Sequence, residues 1–392
     1  MKKKGFTLIE IISTVVILGI IFTIVSVLVL GIIRRTKDSA NKRNIDLYGK
    51  MVETAMAEYQ SQNLKYPDKF EDLIIEYTGP KVECNISRIN PDHTVYLSDC
   101  KVNNKLVSNY HYGTLILTAV KYLLKKTNDI EITNYTDGNT HEMYTFEHDE
   151  TVQTPALTDY RYIGNEPYNY VEFNGNELWR IIGVFDTEDV NGNYEKRIKI
   201  VKNTRLGKMA WDENNTNEWS TATLNTYLNG EYYNSIDILS QKMIDNTKYY
   251  LGSFSGTSGA NYYNSERGNT VYNGRSINWI GKIALIYPSD YLFPYAYGAD
   301  DTCYNSGGSC NSSSGKNNSW FHSISINDSY QWVLTPYSGN NNTIPFIAGT
   351  IYLNAGVGSN NSMSIRPTLY LSPKVKIISG DGTQSNPYKL SL

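Results

Sequence analysis

The stretch that decides the reading is MKKKGFTLIEIISTVVILGIIFTIVSVLVLGIIRR, residues 1–35, which runs on without a break into TKDSANKRNIDLYGKMVETAMAEYQSQ, residues 36–62. From Phe6 to Ile33 the letters are apolar or small, with one exception, the carboxylate of Glu10. As a helix this run would measure about 42 Å, more than the ~30 Å hydrocarbon core of a bilayer. The pattern therefore predicts a transmembrane helix over 6–33. It is too long for a secretory signal, and no small-x-small cleavage site follows it. Basic residues flank both sides, Lys2, Lys3 and Lys4 before and Arg34, Arg35, Lys37, Lys42 and Arg43 after, so charge alone does not orient the segment. A carboxylate inside such a run is costly and implies a partner.

The local motif K-G-F-T-L-I-E, residues 4–10, resembles the processing site of type IV prepilins and pseudopilins. The resemblance covers the basic leader (1–5), the Gly5–Phe6 junction, the Glu five residues into the mature chain and the apolar stretch behind it. It implies a prepilin peptidase that cuts after Gly5 and N-methylation of Phe6. It further implies assembly through N-terminal helices, with Glu10 of one subunit paired to the Phe6 amine of its neighbour. The localisation that goes with this is single-pass in the cell membrane, N-terminus cytoplasmic before processing, then an extracellular pilus or pseudopilus.

Beyond the apolar run, Ile45, Tyr48, Val52, Ala55 and Tyr59 recur every three or four positions. They form one apolar stripe on an otherwise polar helix. One helix from Phe6 to about Gln62 fits both halves. Tyr66-Pro67-Asp68 then starts a turn, and 70–77 reads as a short amphipathic helix. VECNISRI (82–89) and TVYLSDCKV (94–102) read as a hairpin, and 115–126 as another amphipathic helix. Residues 127–160 have mixed polarity and read as a linker.

The remainder is β-rich. ELWRIIGVF (177–185) and KRIKIVKN pair across a turn containing Asn191-Gly192, WSTATLNTYLNGEYYNSI (219–236) reads as a helix, and 282–291, 330–336, 350–355 and 364–373 read as strands. The tail ends in a Gly-Asp-Gly turn and a last short strand. In order, these blocks resemble an uncharacterised domain found on prepilin-like and other exported proteins of Gram-positive bacteria, and are weakly similar to C-type-lectin-like modules. The calcium–sugar tripeptides of true C-type lectins are absent, since Glu166-Pro167 is followed by Tyr168.

The expected fold class is thus α+β. A long N-terminal transmembrane or pilin helix leads to a small α+β pilin-like module and then a larger β-rich domain. The boundaries are leader 1–5, transmembrane or filament-core helix 6–33, pilin-like module 34–126, linker 127–160 and C-terminal head 161–392.

The net charge of −3 gives no global attraction to nucleic acid, and none is expected as a partner. Charged residues are only 19 %, so the polarity rests on Asn, Ser, Thr, Gly and the 33 Tyr. Four cysteines fall into two close pairs, neither with metal-knuckle spacing. Behind an export segment, disulfides Cys84–Cys100 and Cys303–Cys310 are the simplest reading, against four reduced thiols. The five histidines are scattered, so no metal site is expected. In 186–195 the carboxylates near Gly192 invite a calcium loop, but Thr187 falls where the first ligand should be, and a polar turn fits better. No Walker, G-x-S-x-G or dinucleotide motif occurs, so no cofactor and no enzymatic activity is expected.

The Asn/Ser/Gly/Tyr loops 304–320, 337–346 and 357–364 have the composition of binding loops. Their candidate contacts are Tyr304, Asn311, Trp320, Tyr337, Asn340, Asn341, Asn342, Asn360 and Asn361. The function expected from the whole is a minor pilin or large pseudopilin. It is inserted in membrane lipid before assembly and packed on other pilin subunits through its helix, with the head available to a surface or glycan ligand. The alternatives are a pseudopilin of a secretion or DNA-uptake machinery and, least favoured, a pilus-displayed enzyme.

Overall fold

The structure is a computed structural model. It describes residues 8–67, 69–90, 93–113, 117–128, 143–253, 258–295, 319–325, 330–348, 351–358 and 361–392, with only the backbone element assigned at 10, 11, 19–21, 23–28, 31 and 352–355. The chain divides into two compact units, Met1–Ile116 and Leu117–Leu392.

The first unit is built on α1 (Leu8–Asn63) and the strands β1 (Val82–Ile89), β2 (Val95–Val102), β3 (Lys105–Leu106) and β4 (His111–Tyr112). The 3.6-residue stripe does what its spacing dictates. Ile45, Val52 and Met56 are buried against Val82, Val95, Leu97, Val102 and Val107. Cys84 and Cys100 face each other in the β1–β2 register and are joined as a disulfide. The Asp46 carboxylate accepts from the Tyr110 hydroxyl at 2.8 Å, tying the helix to the chain just before β4.

The helix expected over 70–77 is a single 3₁₀ turn, Phe70–Asp72, which Leu73 leaves in an extended conformation and which no further helix follows before Val82. Leu73, Ile75 and Tyr77 alternate with period two, and all three pack on the core. On a helix the same three positions would spread around the axis.

The long helix corrects the expectation of a membrane span. Among the described residues no helix is long and apolar enough to cross a membrane. The apolar letters instead open one 56-residue helix, whose later part carries Arg34, Arg35, Lys37, Asp38, Lys42 and Arg43. Of the expected fold class, the mixed α+β content stands and the long transmembrane helix does not. The expectations that depend on it fall with it. These are insertion in membrane lipid, single-pass localisation before an extracellular pilus, assembly on other pilin subunits, and a minor-pilin or pseudopilin role.

In the second unit, α2 (Ala119–Asn128) precedes β5 (Met143–His148), β6 (Leu157–Tyr162), β7 (Tyr170–Phe173), β8 (Glu177–Glu188), β9 (Tyr194–Lys202) and β10 (Gly207–Met209). The segment 219–236 is not one helix. It is a 3₁₀ turn (Trp219–Thr221), α3 (Thr223–Tyr227), a π turn (Leu228–Tyr232) and α4 (Tyr233–Ser235). Then follow α5 (Ile238–Lys242), β11 (Thr247–Tyr250), α6 (Gly259–Glu266), β12 (Asn278–Gly281), β13 (Ile283–Ala284), α7 (Pro288–Leu292) and α8 (Trp320–Ser325). The chain closes with β14 (Gln331–Trp332), β15 (Thr343–Ile347), β16 (Ile351–Gly356), β17 (Met363–Ile365), β18 (Thr368–Tyr370), β19 (Lys376–Ser379) and β20 (Lys389–Ser391).

Among the described residues the main sheet runs β13-β18-β9-β8-β6-β5, antiparallel throughout, with β7 also on β8. A second sheet runs β10-β17-β14-β15-β16. The apolar core between these elements holds Trp179, Trp211, Trp219, Trp320 and Trp332, all buried.

Sequence pattern and structure part at identifiable residues. Over 282–291 only Ile283 and Ala284 are strand, because Pro288 at the first helical position starts α7. Over 364–373 the strand is cut in two at Pro367, which offers no N–H to a ladder. Inside the segment read as a linker, β5 and β6 form a hairpin that extends the main sheet. The β8–β9 turn is as read, with Gly192 at φ +84°.

β8 bulges between Ile181 and Gly183. A Cβ on Gly183 would lie 2.1 Å from the Tyr160 carbonyl oxygen, so only glycine lets β6 approach there.

Candidate functional site

Trp211 and Trp219 are both buried, with ring centroids 5.3 Å apart, and the polar segment between them has to loop outward. Asp212 organises that loop. Its carboxylate accepts from the Thr216 N–H (3.0 Å) and hydroxyl (2.9 Å), and from the Thr223 N–H and hydroxyl (both 3.1 Å). Burial alone would raise its pKa, but these donors outweigh it and hold the carboxyl below the usual range.

Asn217, buried at the far end, fixes a second loop. Its side-chain NH₂ donates to the carbonyls of Tyr337 (2.9 Å), Asn340 (3.1 Å) and Thr343 (3.0 Å), two hydrogens shared among three acceptors. The Asn217 backbone N–H donates to the Asn341 carbonyl at 2.7 Å. Arg275 donates to the same carbonyl at 3.2 Å and pairs with Glu218 at 3.3 Å. The Val357 N–H donates to the Asn342 carbonyl, and the Asp212 N–H to the Val357 carbonyl. Two loops, 212–218 and 337–343, therefore meet the chain at 356–358 in one place.

With those carbonyls turned inward, side chains are what remain outside. Asn341 is exposed, and Tyr337, Asn340 and Asn342 are half-buried. Asn361, also exposed, donates to the Gly356 carbonyl at 2.9 Å. The patch thus presents carboxamides and a phenol on a backbone that is already ordered. Such a surface can exchange hydrogen bonds and stack without paying to arrange itself.

Not every candidate residue belongs to it. Trp320 is fully buried, its indole N–H donating to the Tyr162 carbonyl at 2.9 Å, and it supports the core instead of facing a ligand. Tyr304, Asn311, Asn360, Cys303, Cys310, Gly5 and Phe6 lie outside the described residues, as does the side chain of Glu10. Conversely, Asp212, Asn217, Glu218 and Arg275 were not read as site residues. The available signal was a polar run, DENNTNE, held between two tryptophans.

A second concentration of polar groups lies deep in the core. Asp159 accepts from Arg161 (2.8 Å) and is bonded to His148 (3.1 Å), and Arg161 also reaches Asp290 (3.1 Å). Burial would raise the Asp159 carboxyl, but Arg161 and His148 prevail and bring it down to about 2. Burial lowers His148, against the pull of Asp159.

The Tyr263 ring stacks on the His148 ring (3.6 Å between centroids) and lies 3.5 Å from the Arg267 guanidinium. Two groups that close to the ring centre cannot share one face, so the phenol is sandwiched between them. Glu266 takes the Ser289 N–H (2.9 Å) and hydroxyl (2.6 Å), and burial pushes its carboxyl up to about 7. Among the described residues no group of His, Cys, Asp and Glu is placed to hold a metal ion.

Residues 1–33 match the prokaryotic N-terminal methylation motif. No curated protein and no solved structure matches the chain.

Proposed function

We propose that the N-terminus is a prepilin-type cleavage and methylation segment, and that the processed chain carries a non-catalytic binding unit in residues 117–392. The observation that carries the first part is the match of residues 1–33 to the methylation motif. A leader peptidase cuts between Gly5 and Phe6, and the freed amine of Phe6 is methylated. N-terminal sequencing and peptide mass of the protein from its native source should give a chain that starts at N-methylated Phe6. A chain that still begins at Met1, or an unmodified Phe6, overturns this reading.

The binding reading is supported by Asn217, which locks the 337–343 backbone before any ligand arrives. The ligand class that suits carboxamides and a phenol is a neutral one rich in hydroxyl or amide groups. The full chain is to be screened against a library of polyols and short blocked peptides by ligand-observed NMR. Asn217→Ala frees the loop by removing hydrogen bonds worth about 1–3 kcal/mol when left unmade, so it should weaken any hit about tenfold or more. Hits unaffected by Asn217→Ala, or no hits, would place binding elsewhere or remove it.

A further inference from the structure

The middle of the main sheet holds an amine and a carboxyl in contact and sealed from water. Lys199 comes from β9 and Asp290 from α7, 91 residues apart in sequence. The Lys199 Nζ and Asp290 Oδ2 are 2.5 Å apart, and both side chains are about 1 % exposed. The amine is ringed by Tyr287 (4.3 Å to the ring centre), Tyr370 (5.3 Å) and Phe185 (5.6 Å). The other carboxyl oxygen, Oδ1, accepts from Arg161 at 3.1 Å, and the Tyr287 N–H reaches Oδ2 at 3.0 Å.

Burial of this kind favours neutral groups over ions. It lowers the Lys199 pKa toward the free amine, which is the nucleophilic form. Burial acts on Asp290 in the opposite sense, toward the acid, but Lys199 and Arg161 override it and keep the carboxyl low. The pair therefore stands as an ion pair whose proton can cross a single short contact. Next along the chain, Ser289 is held by the Glu266 carboxyl, so a second buried proton-carrying group adjoins the pair.

We propose that Lys199 and Asp290 condense into an intramolecular amide cross-link. A proton passes from the ammonium to Oδ2, leaving an amine and a carboxylic acid. The nitrogen lone pair then forms the N–Cγ bond, and negative charge collects on Oδ1, where the Arg161 guanidinium already donates. A second proton moves from nitrogen to the departing Oδ2, the Cγ–Oδ2 bond breaks, and one water leaves. The sum is ammonium plus carboxylate giving amide plus water, with no oxidant, reductant or activated co-reactant. The product removes one positive and one negative charge from the core together. It leaves Arg161 paired with Asp159, so no buried ion is orphaned.

The test is mass spectrometry on the folded full-length protein, incubated to constant mass and then reduced and denatured. Digestion with trypsin should yield one species in which Ile198–Lys202, uncleaved after Lys199, is joined to Ile283–Lys316 and is lighter than their sum by one water. Asp290→Ala should give the two peptides separately, with cleavage restored after Lys199. If that variant does not fold, the wild-type digest still decides the matter. Wild-type peptides found separate and at full mass, with normal cleavage after Lys199, overturn the proposal. The peptide readout is independent of any processing at the N-terminus.

Discussion

The two units meet the same demand, a single well-packed arrangement, with different resources. The first has a short list of buried apolar side chains, Ile45, Val52 and Met56 on α1 and a handful on β1 and β2. It adds a cross-strand disulfide, as small cores commonly do. The second has a core large enough to bury five tryptophans, and within that core it carries His148, Asp159, Arg161, Lys199, Glu266, Arg267 and Asp290. A small core could not bear the desolvation of so many ions. A large one can, provided every ion keeps its partner. The staple in one unit and the ion lattice in the other are thus opposite responses to core size.

The sharpest way to break this contrast is to remove one partner from the lattice. Arg161 donates to both Asp159 and Asp290. Arg161→Met would leave the buried Asp159 charge without its cation and should cost about 3–5 kcal/mol. The more exposed pair Lys389–Glu172 in the same unit supplies the control, since Lys389→Met should cost less than about 1 kcal/mol. All six tryptophans lie between Trp179 and Trp332, so urea unfolding followed by Trp fluorescence reads the second unit selectively. Equal, small losses for both variants would mean that the lattice is not what orders the core.

The next effect belongs to the first unit. Replacing both Cys84 and Cys100 by Ser releases a constraint across a 16-residue separation, for which about 3 kcal/mol is typical. Amide exchange in β1 and β2 should rise while the Trp-detected transition stays where it was. A shift of that transition would show that the disulfide does more than staple its own hairpin.

The lattice also explains what the sequence hid. The apolar stripe on α1 was legible, because a 3.6 period with polar gaps has few other meanings. The β5–β6 hairpin was not. His148, Asp159 and Arg161 are buried there, yet as letters they are indistinguishable from solvated loop residues. The same ambiguity split the candidate site. Tyr337 and Asn340–Asn342 could be picked out by composition, whereas Asn217 reads as one more Asn in a polar run until its three acceptors are seen. The apolar run at the N-terminus misled in the other direction. Letters alone gave a membrane span, and among the described residues no helix qualifies as one.

The smallest effect is a pH dependence with two opposing parts inside the second unit. His148 has a folded pKa below its ordinary 6.5, because burial disfavours the charged ring. The unfolded chain therefore binds the proton first as pH falls, and stability drops below about 6.5. Glu266 has a folded pKa raised from 4.5 to about 7, so here the folded chain holds the proton longer, and stability falls as pH rises from about 4.5 to 7. Between those limits the two trends cancel in part, and the wild-type melting temperature should be flatter than either alone. His148→Gln removes the first trend, so its stability should decline with rising pH more steeply than that of wild type. Glu266→Gln removes the second, so its stability should climb over the same interval. Melting curves of the three proteins between pH 4.5 and 7 check the signs. Parallel profiles would mean that neither group changes its proton occupancy on folding, and that the lattice is held by geometry rather than by charge.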